Sequence, residues 1–380
     1  MLNFSENLLV LMLKCSLWNR EEDFHTLEQL IGKNTGRMDW ERVVNLAMEQ
    51  TVLGHVTEAI TCLPKNLRPE KSMYFSLVSQ VSDIEKRNSQ MSRFSFILMD
   101  NLERKGCHAL LLKGQGVGRN YRNPLHRQPG DIDLLLINND EYEHAKELIG
   151  RIAESEGDEN KERQHCDFVV KGFVVELHGK FRFLICRQFS ESLPKWTRER
   201  LSDPPISVNL INGFKIDEKV KLPPVQFDVV FVFAHMLNHF MTGGVGLRQI
   251  CDCMMFLHNN YEDIDKDILK EDLGQLGLTK FWKVYAAMAV DFLGYPKEKM
   301  PFYDASLKRK GEIMLENVFK TGNFGAIQKK SQLSSDTNKW LKKIVTCWGQ
   351  IPVYWRAGKL FPKESLYCFY HYSRRVLAAG

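Results

Sequence analysis

LLLKGQGVGRNYRNPLHRQPGDIDLLL, residues 110–136, sets two apolar runs on either side of a glycine-bearing turn. The first run, Cys107 to Leu112, has the length of a strand, and Pro124 bars a long helix after the glycines at 114, 116 and 118. The second run, Ile132 to Ile137, is continuously apolar after an acidic start, the pattern of a strand covered on both faces. Residues two apart on a strand share a face, so Asp131 and Asp133 present two carboxylates to one point while Ile132 turns away. The predicted order is a strand, a glycine turn opening a short helix, and a strand that begins Asp-x-Asp. Backbone N–H groups at such a strand-to-helix junction can cradle phosphates.

Upstream, from Leu2 to about Arg104, the pattern is helical. Ile84, Met91, Phe94, Leu98 and Leu102 form one stripe, and Gly106 is placed to stop that helix. Downstream, Asn139 or Asp140 is the expected cap of a helix through Ala145, Leu148, Ile149 and Ile152, followed by a polar loop over 154–163. The runs DFVV and FVVELH then flank Lys171 and Gly172, which suits a tight hairpin. Glu176 is the one acid in the strand Phe173 to His178, where a buried carboxylate is costly without a cation or other partner. Residues 180–224 show weak periodicity and two Pro-Pro pairs and read as connecting structure. From Val225 helical spacing returns. The predicted class is α+β (mixed α/β): a helical region over 1–105, a core with a small mixed β-sheet over 106–224, and a helical domain over 225–380.

Asp131, Asp133 and Glu176 make an oxygen-only set suited to Mg²⁺ or Mn²⁺, which bind a few carboxylates together with substrate phosphates. Other motifs fall away. Counting from Gly114 and Gly116, a dinucleotide fingerprint needs its third glycine where Arg119 stands, and no Gly-Lys pair followed by a hydroxyl completes a P-loop. His235 and His239 have the spacing of a zinc-protease pair, but Met236 stands where that motif needs glutamate. Cys251 and Cys253, with His258, lack a second ligand pair and read as buried thiols.

The segment over 110–136, with QHCDFVVKGFVVELHGK at 164–180, resembles the nucleotidyltransferase family usually described as uncharacterised, within the DNA polymerase beta-like superfamily. The resemblance rests on Lys113 with Gly114, Arg127 with Gly130 to Leu135, and Val175 to His178. It extends to the flanking helices, including His235, His239 and Leu247 to Asp252. It implies two cations at Asp131, Asp133 and Glu176 that clamp a nucleoside triphosphate for in-line displacement at the α-phosphate, with pyrophosphate leaving. It also implies nucleotide contacts from Lys113, Gly114, Gln115, Arg127 and Gly130, and substrate contacts from His165, His178, His235, His239, Arg248 and Asp252. Arg119 is a further base available to offset phosphate charge. The chain departs from the wider superfamily at the first helix, where Gly114 is followed by Gln115 instead of serine. The acceptor hydroxyl is not specified: a small molecule, a protein or an RNA end all fit. The competing class of reading is a catalytically inactive nucleotide-binding or partner-binding regulatory protein of the same fold.

Nine scattered cysteines are expected to be free thiols of a cytoplasmic protein. The N-terminal MLNFSENLLVLMLKCSLW lacks a basic leader, and Phe227 to Met241 is broken by His235, Asn238 and His239, so neither a secretion signal nor a membrane span is expected. The last 60 residues hold ten Lys or Arg against two acids, interleaved with Trp340, Trp348, Trp355, Tyr367 and Tyr372. That composition is compatible with RNA or another anionic partner; the simpler account is core aromatics with solvated bases.

Overall fold

In the computed structural model, which describes residues 2–157, 164–210, 219–323 and 339–378, the stripe Met91, Phe94, Leu98 and Leu102 lies buried along a 33-residue helix. This helix, α5 (Lys71–Glu103), follows α1 (Phe4–Trp18), α2 (Glu21–Lys33), α3 (Trp40–Glu49) and α4 (Leu53–Cys62). Next come β1 (Leu110–Leu112), α6 (Gly114–Gly118), β2 (Ile132–Leu135), α7 (Asn139–Gly150), β3 (Ser155–Glu156), β4 (His165–Val170) and β5 (Phe173–His178). The strands form one mixed sheet in the order β1-β2-β5-β4-β3, in which only the β2–β5 pair is parallel among the described residues. β2 is buried at every position, as its unbroken apolar run requires. Lys171 and Gly172 join β4 to β5 with φ of 51° and 70°, the two-residue turn whose twist matches the strands it connects.

Three expectations change in detail. β1 spans only three residues, because Ala109 N–H donates to the Cys107 carbonyl in a tight turn that delays the start of the extended run to Leu110. The cap of α7 is Asn138, whose side chain accepts from the N–H groups of Asp140 and Glu141. Residues 180–224 are more regular than connecting structure: they hold α8 (Arg187–Arg200) and a ribbon of β6 (Ile206–Asn209) with β7 (Lys219–Leu222). Pro194 inside α8 obscures its periodicity, but Phe189, Leu193 and Trp196 form a buried face that holds the helix in place. Residues 158–163 of the expected polar loop lie outside the described residues.

Helices α9 (Val225–Thr242), α10 (Leu247–Asn259), α11 (Lys266–Gln275), α12 (Thr279–Asp291), α13 (Lys308–Thr321), α14 (Lys339–Gly358) and α15 (Pro362–Ala378) complete the chain. The described residues form two cores. The smaller packs α5, the sheet, α7 and the ribbon around Phe94, Leu134, Val175 and Leu222. The larger joins the N-terminal helices to the C-terminal ones through residues such as Leu8, Met12, Phe233 and Trp282. Polar bonds fasten the same junction: Trp18 Nε1 donates to the Leu293 carbonyl at 2.7 Å and Gln50 Nε2 to the Val318 carbonyl at 3.3 Å.

Among the described residues none of the nine cysteines forms a disulfide, and no helix is long and apolar enough to cross a membrane. Cys251 and Cys253 are buried. At the C-terminus Trp348 and Trp355 are exposed, so those two aromatics are not core; the side chains of Trp340, Lys342 and Lys343 lie outside the described residues. Leu134, fully buried at the centre of β2, tests the smaller core. Leu134→Ala is expected to cost about 2–5 kcal/mol, read as a lowered urea midpoint with an unchanged m-value.

Candidate active site

The register of the parallel pair sets Asp133 of β2 directly beside Glu176 of β5, and Asp131 lies two residues earlier on the same face. Carboxylate oxygens of Asp131, Asp133 and Glu176 all lie within 4.8 Å of one another. Asp133 is 1% exposed, and the other two are half-buried. The edge strand β1 runs antiparallel to β2 with Leu112 opposite Asp133, so Lys113 emerges at the carboxylates. Its backbone then reverses: Lys113 has φ 47° and ψ −140°, a region L-residues rarely enter, and Gly114 has φ 41°. A Cβ on Gly114 would sit 3.2 Å from the Asp131 carbonyl oxygen, so this glycine lets the turn lie against the Asp-x-Asp backbone. The reversal carries Lys113 Nζ to 2.7 Å from Asp133 Oδ1.

Histidines supply the other contacts. His178 Nε2 lies 3.0 Å from Asp133 Oδ1 and 3.4 Å from Glu176 Oε2. His165 Nε2 lies 3.7 Å from Glu176 Oε2 and 3.4 Å from Asp167 Oδ1. Burial alone raises the pKa of Glu176, but the hydrogen bonds from His165 and His178 outweigh it and hold the carboxyl at about 2. Burial lowers His178, yet its bonds to Asp133 and Glu176 leave it above the ordinary value. Lys113 behaves alike: burial opposes its charge, and Asp133, Asp131 and Glu176 more than restore it. Asp133 Oδ2 is buried with no hydrogen-bond partner. A buried carboxylate oxygen with nothing to accept from, beside two more carboxylates, is the donor set a hard divalent cation fits.

The facing wall comes from α9 and α10. The sheet side of the cavity is lined by Lys113, Gly114, Asp131, Asp133 and Glu176, and the helical side by His235, His239, Arg248 and Asp252 with Arg127 between them. Lys113 Nζ donates to His235 Nε2 at 3.0 Å, which assigns the neutral ring's proton to Nδ1. Burial, then the Lys113 charge, pushes His235 well below the ordinary histidine range and His239 down to about 4.

Arg127 grips Asp252 with two bonds, Nε to Oδ1 at 2.7 Å and Nη2 to Oδ2 at 2.8 Å. Tyr121 Oη also donates to Asp252 Oδ1, at 2.7 Å. Asp252 therefore pairs across to the loop and not with Arg248 on its own helix. Among the described residues the Arg248 guanidinium donates only to the backbone carbonyls of Gln128 and Pro129, at 3.0 and 3.4 Å, and its Nε is buried without a partner. Gly130 passes beneath that guanidinium. Gln115 does not line the cavity: its amide donates to the backbone and side-chain oxygens of Asn88, tying α6 to α5. His165 and His178 flank Glu176 from the β4–β5 hairpin, outside the cavity lining. Arg119, also outside that lining, lies near Asp228.

Residues 36–294 match the family described as uncharacterised nucleotidyltransferase, about two thirds of the chain. The chain belongs to that family. The matched span holds the whole sheet, α9 and α10, and ends before α13. A solved structure similar to this nucleotidyltransferase-family chain is an antigenic nucleotidyltransferase-like protein from Paracoccidioides brasiliensis, 14% identical, with 44% of this chain and 74% of that one covered at a TM-score of 0.30. No curated protein matches the chain.

Three side chains of this family member escaped the sequence reading: Asn88, which donates to the carbonyls of Leu125 and Arg127, Tyr121 beneath Asp252, and Asp167 opposite Glu176. The first two have no local signal. Asp167 follows from the hairpin turn, which fixes the pairing.

The depressed histidines of the cavity contribute to the pH response of this nucleotidyltransferase-family chain. A histidine whose folded pKa is depressed adds stability above its unfolded value near 6.5, and that stability is lost as pH falls toward the folded value. For His239 the window runs from 6.5 to about 4, with an effect on the order of 3 kcal/mol. His178, raised, acts in the opposite sense and only above 6.5. Urea unfolding between pH 6.5 and 4 is expected to show falling stability, and a shallower fall for His239→Gln.

Proposed function

We propose that this chain is a metal-dependent nucleotidyltransferase that moves a nucleoside monophosphate from a nucleoside triphosphate to a hydroxyl of an acceptor, releasing pyrophosphate. The observation that carries this reading is the convergence of Asp131, Asp133 and Glu176 across the β2–β5 pair, with Asp133 Oδ2 left without a partner. Family membership supports it. Mg²⁺ or Mn²⁺ held by these three residues would supply charge neutralisation and Lewis-acid polarisation of the triphosphate.

The chain's own residues do the rest. Arg248, with no carboxylate among its bonding partners, faces the carboxylates across the cavity and offers its guanidinium to the β- and γ-phosphates. Lys113, already charged, follows the phosphates from its seat on Asp133. The acceptor oxygen attacks the α-phosphorus in line, the bond to the bridging oxygen of the leaving pyrophosphate breaks, and the hydroxyl proton passes to a carboxylate oxygen of the trio. The acceptor hydroxyl belongs to a small molecule, a protein or an RNA end. Cysteines without disulfides fit a cytoplasmic address, where triphosphates are at hand.

Thermal unfolding with each nucleoside triphosphate, with and without Mg²⁺ or Mn²⁺, tests the reading. A midpoint rise that needs the metal is expected in wild type, up to about 2.7 kcal/mol of stabilisation at a hundredfold excess over Kd, and none in Asp131→Asn/Asp133→Asn. Arg248→Met is expected to weaken triphosphate binding roughly 10- to 100-fold. No rise with any triphosphate would sink the proposal in favour of a non-catalytic binding role.

A further inference from the structure

Beside Glu176, the β4–β5 hairpin carries two histidines that the proposed transfer step does not use. Its two-residue turn fixes a register in which His165 stands opposite His178 and Asp167 opposite Glu176. Alternation along each strand puts these four side chains on one face. The two imidazole rings have centroids 4.7 Å apart and bring Nε2 near the same carboxylate oxygen, Glu176 Oε2, at 3.4 Å from His178 and 3.7 Å from His165, while His178 Nε2 also lies 3.0 Å from Asp133 Oδ1. Ligand atoms of His165, Glu176 and His178 lie within 4.8 Å of one another, and the three side chains keep 28%, 25% and 13% of their surface exposed, so an ion can reach them.

We propose that His165, Glu176 and His178 form a second metal site, selective for a transition ion such as Zn²⁺ or Co²⁺ over Mg²⁺, with Glu176 as the carboxylate shared with the Asp131 and Asp133 site. Ligands about 2.1 Å from a tetrahedral ion sit about 3.4 Å apart. The two nitrogen-to-oxygen separations already match that spacing to within a few tenths of an ångström. Donor chemistry divides the two sites. Imidazole nitrogens suit zinc, cobalt and nickel, whereas the all-carboxylate trio suits magnesium, so ions of the two classes sort between neighbouring positions. Asp167 Oδ1 lies 3.4 Å from His165 Nε2 and orients that ring, outside the group of three mutually close ligand atoms. All three ligands belong to the hairpin, so the site stands whether or not the chain transfers nucleotides.

Co²⁺ reports on it directly, since nitrogen-ligated Co²⁺ of low coordination number gives a visible ligand-field band. Full-length protein in excess Mg²⁺ is titrated with Co²⁺ and followed by absorption and calorimetry. Wild type is expected to take up one Co²⁺ with such a band. His165→Ala/His178→Ala is expected to lose more affinity than the roughly 10- to 100-fold typical of losing an outer-shell partner. Asp131→Asn/Asp133→Asn is expected to keep the band. Circular dichroism checks folding, and the single change His165→Gln, at a partly exposed position, gives the same readout if the double variant does not fold. No Co²⁺ uptake in wild type would overturn the proposal. So would uptake that survives the histidine changes or requires Asp131 and Asp133, because the imidazoles would then serve only to orient Glu176. Metal-dependent triphosphate stabilisation, measured on the same samples, judges the transferase reading separately.

Discussion

Mutual repulsion among Asp131, Asp133 and Glu176 is the constraint around which the site is arranged. Two unit charges 4 Å apart interact by about 1 kcal/mol in water and about 4 kcal/mol at the effective dielectric of a partly buried site. Three carboxylates at such separations need compensation in place before any ligand arrives. Lys113 gives it from one side and His178 from the other, both on Asp133 Oδ1. That demand accounts for the unusual backbone at Lys113: the reversal at the end of β1 turns an ammonium onto Asp133 of the neighbouring strand β2. Local strain is accepted where it serves charge balance.

The same logic extends across the cavity. Arg127 belongs to the loop that delivers the Asp-x-Asp strand, and Asp252 belongs to α10, so their paired bonds hold the loop at a fixed distance from the helical wall. Tyr121 completes the set of bonds to Asp252. With Asp252 engaged by the loop, the neighbouring Arg248 is left with backbone carbonyls only, and its charge remains directed at the cavity. A buried ion pair is weak evidence for net stability; here its value is positional, since it sets which guanidinium is occupied and which is available.

Much of this was legible in the sequence because the decisive elements are short and locally encoded. The unbroken apolar run after Asp133 could only be a central strand, and the Lys171-Gly172 turn fixed the hairpin that holds Glu176. The order of helices, sheet and helices followed from periodicity alone. What stayed hidden depends on contacts between distant segments. The partner of Asp252 was not its helical neighbour Arg248 but Arg127, 125 residues away, and spacing along a helix carries no information about such a choice. Gln115 was read at a phosphate position, whereas its amide is spent on Asn88, a residue whose surroundings in α5 announce nothing. Helix α8 was obscured for a different reason: Pro194 is a local signal against helix that burial of Phe189, Leu193 and Trp196 overrides.

The larger core closes only when the two ends of the chain meet. Trp18 bonds to a carbonyl 275 positions further on, and Gln50 to one 268 positions further on. During synthesis, α1 to α4 therefore leave the ribosome long before the helices that cover them exist. Their apolar faces must wait, exposed, while the sheet and its hairpin are made. Contacts of such separation form late and slowly, and unburied helix faces invite association with other chains in the interval. The nascent N-terminal sixth, α1 to α4, is thus the stretch of this protein that waits longest for its cover.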